Sequence, residues 1–175
     1  LYQTKILAYA GEENVQTTFT IRRFKPTDLE HVMHINQLCL PENYSSSFFL
    51  DLYEQFPETF VVAEEDGEIV GYAMCRIERS IPSFRFTGFA KKGHLISIAV
   101  LPKYQRQGVG EALMKKIMKA MLGYEAKEFY LEVRVTNTSA ISLYKKLGFQ
   151  VAKTFHGYYS DGEDAYLMSR KLPFE

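Results

Sequence analysis

The chain is short of cysteine. Cys39 and Cys75 are the two in 175 residues, too few for a disulfide framework, and neither stands in metal-ligand spacing with the four histidines. Reduced thiols that fill core space are expected, and no metal. Charge of one sign is not in excess either: Lys plus Arg and Asp plus Glu are 21 each. No global field therefore draws in nucleic acid or an anionic membrane, and neither is an expected partner. Long apolar runs are absent, and ILAYAG near the start is too short for a signal-peptide core before Glu12 and Glu13 interrupt it. A cytoplasmic protein is expected. The length suits one domain that buries enough surface to fold without staples. Residues 1–18 read as an amino-terminal extension of native or tag origin, 19–172 as the single domain and 173–175 as a tail.

What is present is organised around HLISIAVLPKYQRQGVGEALMKKIMKAML, from His94 to Leu122. Leu95, Ile96, Ile98, Ala99 and Val100 form a nearly unbroken apolar run, which predicts a central strand covered on both faces, and Pro102 stops it. Val109, Leu113, Met114, Ile117 and Met121 recur at helical spacing, with Lys115, Lys116 and Lys119 on the wet side. Between them lies QRQGVG. Gly108 and Gly110 leave the backbone amides at the helix start open to an anion, and the helix dipole adds its positive end. No Lys followed by Ser or Thr comes after the second glycine, so this is not a Walker loop, and the third glycine of a dinucleotide fingerprint is missing. On these residues alone, a pyrophosphate site and a plain tight turn both remain open.

In chain order, Phe19 to Phe24 reads as a strand. Thr27 and Glu30 predict a capping box opening a helix with Leu29, Val32, Met33 and Leu38 on one side, ended by Pro41. A second helix is predicted from about Ser47 to Phe56, then a hairpin of Thr59–Ala63 and Ile69–Ile77 turning at Asp66 and Gly67. Ser80 to Gly93 reads as a long connection carrying Pro82, Phe84, Phe86, Gly88, Phe89, Lys91 and Lys92, either a surface crossing or a gate over substrate. Alternation along Phe129–Val135 puts Tyr130, Glu132 and Arg134 on one face. A carboxylate on an interior strand needs a basic partner, Arg134 or a neighbouring-strand residue, or a raised pKa. Ser139 is expected to open a helix burying Ile141, Leu143, Tyr144 and Leu147, with Gly148 at its end. Buried there, the Tyr144 hydroxyl needs a polar partner. Gln150–Tyr158 and Asp164–Arg170 make a last hairpin.

Strand, QxxGxG, helix, strand and a helix ending LYKKLGF is an order that resembles the GNAT acyltransferase superfamily. LCLPENY (Leu38–Tyr44), GHLISIAV (Gly93–Val100), LEVRVTN (Leu131–Asn137) and YYSDGEDAYLM (Tyr158–Met168) resemble one branch of it. That branch is the amino-terminal protein acetyltransferases, in particular the archaeal enzymes and the catalytic subunit of the eukaryotic NatA complex. The resemblance implies an α/β GNAT fold, a mixed central sheet of about seven strands flanked by about four helices. It implies acetyl-CoA as cosubstrate, with Gln105, Arg106, Gln107, Gly108, Val109 and Gly110 in its phosphate loop. Ile98, Ala99 and Val100 would lie along its arm, Asn137 would contact it, and Tyr144 would protonate the departing thiolate. The first residue of a protein or peptide amino terminus would be received by Leu40, Glu42, Tyr44, Tyr158 and Tyr159.

Deprotonation of the α-amine falls by resemblance to His94 and Glu132 through water, with Glu42 also taking part. Which of His94 and Glu132 dominates stays open. An α-amino pKa of about 8 means that a modest base suffices. Attack would be direct, on small first residues such as Ser, Ala and Thr, with Met as a further candidate. A ribosome or an auxiliary subunit are partners the resemblance leaves open. Two other readings stand beside it: a non-catalytic acyl-CoA-binding sensor or assembly subunit, and an acetyltransferase for lysine, a polyamine or a ribosomal-protein terminus.

Overall fold

The computed structural model describes residues 19–80 and 90–173. The expected α/β architecture is present: one seven-stranded sheet with helices on both faces. The strands are β1 (Thr20–Arg23), β2 (Phe60–Glu65), β3 (Glu68–Ser80), β4 (Ala90–Val100), β5 (Glu128–Arg134), β6 (Gln150–Phe155) and β7 (Ala165–Lys171). They lie in the order β1-β2-β3-β4-β5-β7-β6. Every neighbouring pair is antiparallel except β4 and β5. The helices are α1 (Leu29–Cys39), α2 (Ser46–Gln55), α3 (Val109–Gly123) and α4 (Thr138–Lys146).

Side chains alternate across the pleat, so one pair of strands feeds two cores. Val61 and Ala63 of β2 and Ala73 and Cys75 of β3 pack with α3 and α4. Phe60, Val62, Tyr72 and Met74, from the same two strands, pack with Val32 and Ile35 of α1 and Phe49 and Leu52 of α2. The predicted stripe of α3 is buried throughout: Leu113, Met114, Ile117 and Met121 are inaccessible to solvent. Burying each such side chain contributes about 1.5–3 kcal/mol. At the β2–β3 turn Asp66 and Gly67 both have positive φ, at 50° and 82°, as a two-residue hairpin with the strands' own twist requires.

Several local expectations are corrected. α1 is not opened by Thr27 and Glu30. A single 3-10 turn over Pro26–Asp28 precedes it, and Asp28 accepts from the Lys25 amide at 2.8 Å while taking both NH1 and NH2 of Arg22 at 2.7 and 2.9 Å. Charge-assisted bonds of that kind outcompete a neutral hydroxyl cap. Leu38 is 61% exposed, because the buried stripe of α1 runs through Val32, Ile35 and Asn36 and turns Leu38 outward. α4 starts one residue earlier than expected, capped by Asn137, whose Oδ1 accepts from the Ala140 amide at 3.1 Å. β3 runs on to Ser80 and β4 starts at Ala90, so Lys91 and Lys92 belong to a strand and pair with Glu125 and Glu128 at 3.5 and 2.8 Å. The gate expected from Pro82, Phe84, Phe86, Gly88 and Phe89 lies outside the described residues, as does the extension of residues 1–18.

Candidate active site

β4 and β5 are the one parallel pair among the described strands, and they pair only briefly. Lys92, Gly93 and His94 stand opposite Glu128, Phe129 and Tyr130, after which the strands part. β3 follows β4 to Val100, and β7 follows β5 to Arg134. The parting opens a cleft in the middle of the sheet. On the edge of β4 that faces it, the Ile96 carbonyl accepts from the Tyr44 hydroxyl at 3.3 Å and the Val100 carbonyl from Gln105 Nε2 at 2.9 Å. Residues two apart on a strand direct N–H and C=O the same way, so the amide and carbonyl of Ile98 face the cleft between those two. A linear polar arm fits such an edge, because buried backbone groups need partners.

Ile98, Ala99, Val100, Gln105, Arg106, Gly108, Gly110, Asn137 and Tyr144 all line this cleft, together with Leu40. The side chains of Gln107 and Val109, also expected there, do not. Gln107 donates to the Lys103 carbonyl at 2.8 Å, and Val109 is buried in the core. Cys39, expected to be core filling, is half-buried and lines the cleft, whereas Cys75 is buried in the core as expected. Gly108 has φ 86°, and a Cβ placed there would meet no atom within 4 Å. The glycine serves the turn into α3 and leaves its amides uncovered. Tyr144 sits on the α4 wall. Burial pushes its phenol well above the usual tyrosine range, and the neighbouring Tyr159 adds to this. Among the described residues no hydrogen bond of its hydroxyl is found.

At the fork, where β4 and β5 still touch, a second group of residues assembles. Glu132 does not pair with Arg134; its Oε2 lies 2.6 Å from His94 Nε2. Nδ1 of the same imidazole is 3.2 Å from Oε1 of Glu78 on β3, and the ring stacks on Tyr130 with centroids 4.3 Å apart. Tyr130 and Arg76 both donate to Glu78, at 2.5 Å each. Sequence reasoning missed Glu78, Arg76 and Tyr130 as parts of a site. The RIER alternation of β3, which faces Arg76 and Glu78 the same way, was the signal that could have found them.

A third group ties two loops beside the fork together. Arg134 donates to Glu42, Asp161 and Glu163, each at 2.7 Å, and its guanidinium lies 3.9 Å from the Tyr159 ring centroid. The loop bearing Glu42 is held from beneath. Asn36 Nδ2 donates to the Glu42 carbonyl and to the Tyr72 hydroxyl, and Asn36 Oδ1 accepts from the Tyr44 amide. Tyr72 in turn shares a hydrogen bond of 2.7 Å with Ser97 on β4. Tyr158, half-exposed, packs edge-on against Tyr159 at 5.0 Å. Burial pushes the phenols of Tyr44, Tyr158 and Tyr159 upward, and the charge of Glu132 adds to each. The structure thus brings Glu42, Tyr44, Tyr158 and Tyr159 around the same fork as His94 and Glu132.

A mixed seven-stranded sheet parted at its one parallel pair, with a glycine turn feeding a helix at the far end of the cleft, defines an acyltransferase class of architecture. Residues 29–149 match the acetyltransferase (GNAT) family, and the chain belongs to that family. It is 50% identical to an N-alpha-acetyltransferase of Sulfurisphaera tokodaii over 88% of this chain and 93% of the relative. To the N-alpha-acetyltransferase of Saccharolobus solfataricus it is 44% identical, over 93% of this chain and 98% of that one. The crystal structure of Ard1 from Thermoplasma volcanium superposes with a TM-score of 0.76 at 34% identity, covering 89% of this chain and 99% of that one.

Proposed function

We propose that this chain is a protein N-alpha-acetyltransferase that acetylates the α-amino group of protein amino termini, with residues 19–172 as the catalytic domain. The observation that carries the reading is the parted β4–β5 pair, which sets a polar cleft beside an imidazole–carboxylate pair at its closed end. The similarity to N-alpha-acetyltransferases across most of the chain supports it.

Acetyl-CoA would supply the thioester and a thiolate leaving group. Backbone groups of Ile98 and Val100 hold the donor's arm and polarise the carbonyl, and the amides at Gly108 to Gly110, with Arg106, hold its phosphates. Leu40, Glu42, Tyr44, Tyr158 and Tyr159 receive the first residue of the acceptor. Glu42, fixed by Arg134, narrows that mouth in favour of Ser, Ala and Thr starts, with Met as a further candidate. His94 and Glu132 take the proton that the α-ammonium must lose before its nitrogen can attack. Tyr144 keeps its own proton at neutral pH, because burial disfavours the phenolate, and so has one to give to the thiolate. The base takes a proton from nitrogen, the acid gives one to sulfur, and no covalent enzyme intermediate is needed.

No described helix is long and apolar enough to cross a membrane, and action in the cytoplasm on nascent or completed chains fits this reading. The test is thiol release from acetyl-CoA with a peptide starting Ser-Glu, beside the same peptide blocked at its amino terminus and carrying lysine. Release with the free terminus alone is expected. Equal rates on the blocked peptide would overturn the α-amine assignment. Binding of acetyl-CoA without release on either would favour a sensor or a missing auxiliary subunit.

A further inference from the structure

Glu78 belongs to none of the sequence motifs, yet three polar side chains converge on its carboxylate. Tyr130 donates its hydroxyl to Oε2 at 2.5 Å, Arg76 its Nε–H to Oε1 at 2.5 Å, and His94 Nδ1 stands 3.2 Å from Oε1. A guanidinium can only donate, and the tyrosine hydroxyl is placed as a donor here, so Glu78 is an acceptor at both oxygens and is ionised. Burial pushes its carboxyl up. The hydrogen bonds from Tyr130 and Arg76, the Arg76 charge and the contact with His94 outweigh that and hold it below the usual carboxylate range.

An ionised carboxylate beside Nδ1 requires the hydrogen to be on Nδ1. In the neutral imidazole Nε2 is then bare. Nε2 lies 2.6 Å from Oε2 of Glu132, and a contact that short between two acceptors is relieved only by one proton in the gap. We propose that Glu78 is the positioning residue of the site: by accepting from Nδ1 it turns the bare Nε2 of His94 to Glu132, so that the two share a single proton position and act as one base toward the amine.

This rests on the acyl-transfer reading. An N–H bond of the α-ammonium breaks and the proton enters the gap between Nε2 and Oε2, leaving the nitrogen lone pair free for attack. The proton passes to solvent before the next turnover. With the gap filled the pair is spent as a base, so its filling sets the acid limb of the pH–rate profile. The groups that bear on this proton are Arg76 and Glu78 from β3, and Tyr130 and Glu132 from β5. Beside them stand the Lys92–Glu128 pair on the same face, with Tyr44 and Tyr158 within electrostatic reach of Glu132.

Glu78→Gln tests the idea: with its one oxygen kept on Tyr130, the amide nitrogen takes the Oε1 place, where it faces Nδ1 as a donor and releases the half-exposed Arg76. Imidazole nitrogen NMR on histidine-labelled protein, with His94 assigned through His94→Gln, should show hydrogen on Nδ1 in the native chain and on Nε2 in E78Q. In kinetics E78Q should lower kcat about tenfold, leave KM for acetyl-CoA within about twofold, and move the acid limb of kcat/KM to lower pH. Glu78→Asp, which keeps the charge, should restore the native tautomer and much of kcat. Circular dichroism and acetyl-CoA binding on each variant separate a misfolded protein from an altered base. An unchanged tautomer and acid limb in E78Q, or an Nδ1 without hydrogen in the native protein, would overturn the proposal while leaving acetyl transfer standing. A native chain that acetylates no peptide, yet reverses its tautomer in E78Q, would overturn the enzymatic reading and leave the positioning role in place.

Discussion

Glu132 and Arg134 stand two residues apart on the same face of β5, equally half-buried, and do opposite work. Glu132 meets an imidazole across a gap that one proton can fill or leave. Arg134 meets three carboxylates and an aromatic ring, and its guanidinium holds its protons throughout the accessible pH range. The carboxylates around it push its proton affinity higher still, Glu163 and Glu42 foremost. One strand face therefore supplies both a movable proton and a fixed charge. The fixed charge joins the loop bearing Glu42 to the segment between β6 and β7, the two pieces of chain proposed to bound the acceptor site. Chemistry and architecture are separated by about 7 Å of extended strand.

Substitutions at the two positions should part accordingly. Glu132→Gln keeps the shape and removes half of the proposed base, and should lower kcat about a hundredfold or more with little change in KM for either substrate, as measured by thiol release under saturation. A comparable loss in KM would mean that Glu132 holds substrate rather than moving a proton. Arg134→Met keeps the stem and removes the charge. It should raise KM for the peptide about tenfold, as befits partly exposed ion pairs, and lower kcat less than E132Q does. If R134M instead matched E132Q in kcat at unchanged KM, the division between movable and fixed charge would fail.

A smaller effect should appear in acid melting. Glu163 is held below the usual carboxylate range by hydrogen bonds from Thr136 and Arg134, and Asp161 by the Glu163 amide and Arg134. Carboxyls depressed in the folded state stabilise it above their unfolded values, of about 4, and that contribution fades as pH falls through the lower folded values. The melting temperature of the native chain should therefore drop on acidification below about pH 4, and R134M should show a shallower drop. Parallel curves would mean that Glu163 and Asp161 contribute nothing through Arg134.

The fold was largely legible. The apolar run of β4, the stripe of α3, the hairpin at Asp66–Gly67 and the alternation of β5 are all where period and turn chemistry place them, since each depends on residues a few positions apart. Errors fell where a local signal met a stronger competitor. Thr27 and Glu30 lost to the Arg22–Asp28 pair, and Leu38 lost its place inside because Asn36 took it, hydrogen-bonded to Tyr72 and the Glu42 carbonyl. Glu132 read as a carboxylate in need of a partner, with Arg134 or a neighbouring-strand residue left open; the assembled sheet supplies the second, His94 on β4, and leaves Arg134 to other carboxylates.

Local order along the chain was enough for the strands, the helices, the glycine turn with its positive φ, and the set of residue types that acyl transfer needs. The parting of β4 from β5, the meeting of His94 with Glu132 and Glu78, and the tie from Arg134 to Glu42 were settled by the assembled sheet. The contacts concerned join residues 38, 16 and 92 positions apart. Such contacts exist only once strand order and a parallel register have been chosen, and those follow from how two helical layers cover the sheet rather than from any period in the chain.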